Sequence, residues 1–221
     1  DDTMLLESKA AIITGAGSGI GQASAQLFTE YGAQVLAVDL PDIGLHDTHA
    51  DNDAITTLEK DITDDDAPAV IVQAAVDKFG QLDILFNNAG VSGRDNAEFM
   101  DQTHWDHVMA VNVTAQFRLA KAAIPELRAC GAGRIINTAS VMAEGTDFGL
   151  AAYCASKAGV AGLTRTLALE LGRDNITANY LEPGAVYTGM TRGGFDNPDI
   201  ADVWARKSAL KRLGKPIDLA K

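Results

Sequence analysis

Short apolar runs and helical stripes take turns along the chain. Ala10-Ala11-Ile12-Ile13-Thr14 is a compact apolar run that stops at Gly15, the pattern of a buried strand. Gln22 to Tyr31 follows, with apolar positions at Ala23, Leu27 and Phe28 and a helix-ending glycine at Gly32. Gln34 to Asp39 is a second strand, which completes a βαβ unit of about 30 residues. The alternation continues. Ala54 to Asp61 is a third strand, Pro68 to Phe79 a helix closed by Gly80, and Leu82 to Phe86 a fourth strand. Thr103 to Ala129 is a long helical stretch that Pro125 should kink or end early. Arg134 to Ala139, Leu150 to Leu171 and Asn175 to Leu181 are a strand, a helix and a strand. Strands alternating with helices predict an α/β fold, a doubly wound parallel sheet with helices on both faces. With no repeat, linker or low-complexity tract, residues 1–221 read as a single domain.

Composition narrows the function. Mean hydropathy is near zero (+0.01), ordinary for a globular chain. Eighteen Lys and Arg against 30 Asp and Glu give a net charge of −12, which repels phosphate backbones and anionic membranes. No apolar run reaches the ~18 residues of a membrane span. The acidic start Asp1-Asp2-Thr3-Met4-Leu5-Leu6-Glu7 lacks a signal-peptide core. The two cysteines, Cys130 and Cys154, support neither a disulfide framework nor a zinc site. Cytoplasmic location, no nucleic acid, no membrane and no metal are the expectations. The sequons at Asn112 and Asn175 are then idle.

Glycine is the composition's one excess, 21 of 221, and it clusters where chemistry would use it. Thr14-Gly15-Ala16-Gly17-Ser18-Gly19-Ile20-Gly21 joins the first strand to the first helix. Such a turn lets backbone approach a pyrophosphate, and the helix N-terminus adds free N–H groups and a positive dipole end. Asp39 ends the next strand, 18 residues after Gly21, near the spacing of a ribose-binding acid. A carboxylate there bonds the adenosine ribose hydroxyls and repels a 2′-phosphate. Neither Ser18 nor Leu40 is a cation that would accept that phosphate, so NAD is expected over NADP.

Tyr153 and Lys157 are spaced i, i+4 and share a helix face. An ammonium beside a phenol favours the phenolate and lowers its pKa from the usual ~10. By themselves such a pair is usually a surface pair; the glycine turn changes that. Ser140 follows the fifth strand, Asn87-Asn88-Ala89-Gly90 the fourth and Pro183-Gly184 the sixth. In a doubly wound sheet these strand ends are where ligands bind.

Together these motifs resemble the short-chain dehydrogenase/reductase family, in its common single-domain, Rossmann-like, NAD-dependent branch. Thr14 to Gly21 matches its TGxxxGxG, Asn87 to Gly90 its NNAG, and Tyr153 to Lys157 its YxxxK, with Ser140 thirteen residues upstream. Asn112 fits its helix asparagine, and Pro183-Gly184 with Thr188 its PGxxxT. The match runs from about Lys9 to Asp218.

The resemblance implies roles. Tyr153 would be general acid/base, Lys157 would lower its pKa and hold the nicotinamide ribose, and Ser140 would polarise the substrate oxygen. Asn112 would hold a helix distortion and a proton-relaying water. Gly15, Ser18, Gly19, Ile20 and Gly21 would cradle the pyrophosphate, with Asp39 on the ribose. Asp61 and Ile62 would meet the adenine, and Asn88, Ala89 and Gly90 the ribose and phosphates. Pro183, Gly184, Val186 and Thr188 would face the nicotinamide. The family also implies a homotetramer with Thr103 to Ala129 and Leu150 to Leu171 at an interface.

Substrate walls are expected from Val91 to Arg94, Met142 to Glu144, Leu150 and Ala185 to Tyr187, under a lid of Thr188 to Leu210. Arg94 is either an anchor for a substrate anion or a solvated loop residue, the latter favoured. The chain departs from the pattern twice. Family members continue past Lys221 by about 25–30 residues, enough for a final strand, so a longer native protein is expected. Glu182 stands where a small or apolar residue is usual. The leading expectation is an NAD(H)-dependent oxidoreductase that interconverts a secondary alcohol and a ketone. The alternatives are a sugar-nucleotide epimerase or dehydratase, whose larger substrate domain is absent, and a non-catalytic NAD(H)-binding regulator.

Overall fold

The computed structural model describes residues 4–221. Asp1, Asp2 and Thr3, the start of the acidic N-terminal stretch, lie outside the described residues. Six parallel strands form one sheet: β1 (Ala10–Thr14), β2 (Gln34–Asp39), β3 (Ile55–Glu59), β4 (Ile84–Asn87), β5 (Arg134–Thr138) and β6 (Thr177–Leu181). Their order is β3-β2-β1-β4-β5-β6. The chain winds outward through β2 and β3, then returns to add β4 on the other side of β1, with Ile12 opposite Leu85. The connections therefore diverge between β1 and β4, and a crevice opens at their carboxyl ends.

The helices follow from the strands' alternation. Ile12, Leu36, Leu85 and Ile135 face one core, packed by α3 (Ala67–Phe79), α5 (Gln116–Ala129) and the end of α6 (Ala151–Leu171). Ile13, Val35, Ala37 and Phe86 face the other, where α1 (Gly19–Glu30) contributes Ala25. With both faces covered, the central strands β1, β2 and β4 read as continuous apolar runs.

Several boundaries differ from the sequence pattern. Helix α1 starts at Gly19, inside the glycine turn, rather than at Gln22. Strand β4 starts at Ile84 because the carboxylate of Asp83 stands in for a ladder partner, accepting from the Ala10 N–H at 2.9 Å and from Lys9 Nζ at 3.0 Å. The short α2 (Leu45–Thr48) was not legible; fully buried Leu45 anchors it. The long helix divides, but not at Pro125. It runs as α4 (Gln102–Met109), a wide π turn over Ala110–Ala115, then α5 straight through the proline. Pro125 and Lys121, whose carbonyl loses its partner, both lie on the exposed side, where water can take the bond. After β6 come α7 (Arg192–Phe195), α8 (Pro198–Lys207) and α9 (Pro216–Ala220), the last packed on α1.

Candidate active site

The glycine turn is held as a rigid cradle at the crevice. Gly15 (φ +67°) and Gly19 (φ +56°) take left-handed backbone that side chains resist. Ser18 makes no side-chain cap, so the first amides of α1 stay free for an anion. A Cβ on Gly21 would stand 2.1 Å from the Gly15 carbonyl oxygen, so the helix can press against the turn only with glycine there. Asn88 Nδ2 donates to the carbonyls of Thr14 (3.1 Å) and Gly15 (3.2 Å), and Thr14 Oγ1 accepts from the Asn88 and Ala89 amides, each at 3.1 Å. These bonds tie β1 to β4 where the strand order reverses. Asp39 Oδ2 accepts from Gly17 N and Oδ1 from Leu40 N, both at 2.8 Å. Each carboxylate oxygen keeps a lone pair for a further donor.

At the other end, α6 carries Tyr153 in its first turn and Lys157 one turn on. Lys157 is buried; its Nζ donates to the Thr138 carbonyl at 2.7 Å and lies 5.6 Å from the centre of the Tyr153 ring. Burial lowers its pKa to about 8. Burial also pushes the Tyr153 phenol up, only partly offset by the Ser140 hydroxyl beside it. This corrects the expectation of a phenol lowered by Lys157. Desolvation outweighs any help from an ammonium that is spent on Thr138. Ser140 Oγ accepts from Met142 N at 3.1 Å, which fixes the hydroxyl at the end of β5.

The crevice is a cleft of about 340 Å³ that joins the two ends. Gly15, Ser18, Gly19 and Ile20 form one wall, with Asp39 beside them. Asp61 and Ile62 close the β3 end, and Asn88, Ala89 and Gly90 the β4 end. Ser140, Tyr153 and Lys157 face Pro183, Gly184, Val186 and Thr188 across the far end. Two of the expected site residues do not face the cleft. Gly21 lies beneath the turn. Asn112 is fully buried in the π turn, its amide donating to Val91 O and Ser156 Oγ (both 2.9 Å) and accepting from Val91 N (2.8 Å). The distortion expected at Asn112 is present; its side chain holds the loop after β4 in place.

The substrate walls are narrower than the sequence suggests. Val91 and Val186 line the cleft, together with Thr188 to Thr191 of the expected lid. Arg94 turns away, donating to Asp147 Oδ2 and the Phe148 carbonyl at 2.8 Å each, and it holds the Asp147 carboxyl below its usual range. The lining also includes Lys60, His107 and Val111, which sequence reading missed. His107 and Val111 are one helical turn apart and just precede Asn112, a spacing that could have flagged them. Lys60 is bound to Asp64 (2.9 Å) and Asp66 (2.7 Å). Among the described residues, no group of three or more His, Cys, Asp or Glu is arranged to hold a metal ion, and no helix is long and apolar enough to cross a membrane.

The short chain dehydrogenase family model matches residues 9–199. The chain belongs to that family. A 3-oxoacyl-(acyl-carrier-protein) reductase of Vibrio cholerae is 37% identical, over 98% of this chain and 88% of its own. Among solved structures, a 3-ketoacyl-(acyl-carrier-protein) reductase from Brucella melitensis, complexed with NADH, superposes with a TM-score of 0.91 at 34% identity, covering 97% of this chain and 88% of that one. A protein described as an NAD(P)-dependent gluconate 5-dehydrogenase from Beutenbergia cavernae, with NADP at low occupancy, gives 0.90 at 32% identity over 97% and 87%. The chain is thus an oxidoreductase of this family, built on a Rossmann-like sheet, that uses a nicotinamide cofactor on small-molecule substrates.

Proposed function

We propose that the enzyme uses NAD(H) to interconvert a secondary alcohol and a ketone, with Tyr153 as the proton donor and acceptor. The observation that carries this reading is the convergence of Ser140, Tyr153 and Lys157 on the same cleft as the glycine turn and Asp39. The turn's free amides suit a pyrophosphate. The open lone pairs of Asp39 suit a ribose diol, and its charge opposes a 2′-phosphate. Lys60, the cation nearest in sequence to the β3 end of the cleft, is already neutralised by Asp64 and Asp66.

The nicotinamide, when bound, supplies the hydride donor or acceptor. The residues of the chain manage the proton. A Tyr153 phenol raised by burial keeps its proton at neutral pH and can give it to a ketone oxygen as negative charge develops there. Ser140, locked by its bond to Met142 N, offers its hydroxyl hydrogen to the same oxygen. In oxidation Tyr153 takes the alcohol proton, which requires added positive charge beside it; Lys157 supplies part of that charge below about pH 8. Asn112 acts at one remove, through Val91 and through Ser156, whose Oγ bonds the Tyr153 carbonyl at 2.7 Å.

The rest of the reading is coarser. Residues 1–221 act as one catalytic domain, with 188–210 as the lid over the substrate end. The enzyme works in the cytoplasm as a homotetramer. A panel of secondary alcohols, diols, sugars, steroids and hydroxy acids, assayed by nicotinamide absorbance with NAD and NADP in parallel, tests the proposal. Turnover with NAD is expected; turnover with NADP alone would overturn the role given to Asp39.

A further inference from the structure

Two side chains hold the Ala16–Gly17 peptide from opposite sides. Its N–H donates to Asp39 Oδ2 at 2.8 Å, and its carbonyl accepts from His49 Nε2 at 2.9 Å. The N–H and C=O of a trans peptide point in opposite directions, so a rotation of this unit breaks both bonds together. Ala16 N also donates to the Val38 carbonyl at 3.2 Å, which ties the turn to β2.

His49 does not line the cleft. It follows α2 in the connection between β2 and β3 and is 5% exposed. Because a carbonyl only accepts, Nε2 carries the ring hydrogen. Nδ1 is then a bare acceptor, and it is buried with no hydrogen-bond partner. An apolar residue of similar size would fill this space without stranding a polar atom. The polar ring is accounted for by its one bond, to Ala16.

We propose that His49 is a positioning residue for the dinucleotide. It fixes the Ala16–Gly17 peptide, and through the Gly17 amide it sets the direction of the Asp39 carboxylate. The inference rests on the reading of Asp39 as the ribose-binding acid. It predicts an effect on cofactor affinity and none on the reacting end, where Tyr153 and Lys157 sit on other elements.

The test compares His49→Gln, whose amide nitrogen can reach the place of Nε2, with His49→Asn, whose amide nitrogen falls at the place of Nδ1. NADH affinity is read by fluorescence titration of the intact protein. KM for NAD and kcat are measured on an alcohol that the wild type oxidises, and folding is checked by thermal melts. The Gln variant should match the wild type. The Asn variant should bind NADH about tenfold more weakly and raise KM for NAD to match, with kcat within about twofold. Equal NADH affinity in all three proteins would overturn the inference, as would a loss confined to kcat. If the Asn variant fails to fold, His49→Leu, which has no donor for the Ala16 carbonyl, takes its place: about tenfold weaker NADH binding beside an unchanged Gln variant supports the inference, and wild-type affinity in a folded Leu variant overturns it. A wild type that binds no dinucleotide overturns the cofactor reading and this inference with it; bound NADH without a difference between variants overturns the inference alone.

Discussion

At the Asp39 end of the cleft the working groups are backbone amides and one carboxylate, held by hydrogen bonds and still open to donors. At the Tyr153 end they are side chains, Ser140 and Lys157 buried and Tyr153 half-buried. Asp39 is fixed by two amides at 2.8 Å, and each of its carboxylate oxygens keeps a lone pair open. Lys157 pays for its burial with a pKa of about 8, and Tyr153 is pushed up. The comparison separates selection from reaction. On the proposed reading, geometry and fixed charge would choose the cofactor at one end, while desolvation would make proton positions adjustable at the other.

The sharpest way to break that division is Tyr153→Phe. It removes the proton carrier and leaves the dinucleotide end untouched. Turnover should fall by about 10²- to 10⁴-fold while NADH affinity changes little. A variant that lost both together would show that the two ends are not separable. Next in size is Asp39→Ser, which removes the charge at the selective end. The kcat/KM with NAD should fall about 10- to 100-fold and the NADP-to-NAD ratio should rise. Parallel assays of both cofactors check it, and an unchanged ratio would take selection away from Asp39.

The selective end was the more legible in the sequence. Glycines at Gly15, Gly19 and Gly21 are forced by backbone and close approach, so residue type alone marks them. The acid at the end of β2 follows at a fixed spacing. The central strands β1, β2 and β4 were found for a similar reason: each is buried on both faces and reads as an apolar run. What escaped depends on context that no local pattern carries. Helix α5 runs through Pro125, where a break was expected, because that proline sits on the solvent side. Strand β4 lost Leu82 and Asp83 because a side chain 73 residues from Ala10 took over a ladder bond. The raised phenol of Tyr153 escaped for the same reason, since burial is set by the whole fold. Lys60 was missed because its place on the cleft wall comes from packing and not from a motif, whereas His107 had only its spacing from Asn112 to mark it.

A smaller effect sharpens the comparison at the reactive end. The folded protein holds Lys157 at about 8, against 10.5 for the ordinary amine. Between those values the unfolded chain binds more protons, so the stability of the wild type should rise with pH from about 8 to about 10.5. At neutral pH the buried ammonium is a cost. Lys157→Met should therefore stabilise the protein by about 1–3 kcal/mol at pH 7, less whatever the orphaned Thr138 carbonyl subtracts, and the gain should shrink toward pH 10. Melts at the two pH values test this. The same variant should lose turnover, because a residue kept at a cost to stability belongs to the reaction. A Met variant less stable than wild type at pH 7 would make Lys157 a structural cation instead.

The smallest expected effect concerns Arg94, the cation whose loop lies near the substrate end. Its guanidinium is engaged by Asp147 and by the Phe148 carbonyl, and its side chain is 58% exposed. An exposed pair of this kind contributes about 0–1 kcal/mol. Arg94→Ala should leave kcat and NADH affinity unchanged and shift stability by no more than that amount. The pair does bridge the loop after β4 to the loop before α6, and both carry residues of the cleft's substrate side. KM across anionic and neutral members of the substrate panel is therefore the decisive readout. If KM rises only for the anions, Arg94 leaves Asp147 when substrate binds and recognises its charge. If KM stays level for both, the substrate end selects by shape and by the Ser140 and Tyr153 hydroxyls, and fixed charge is confined to the Asp39 end.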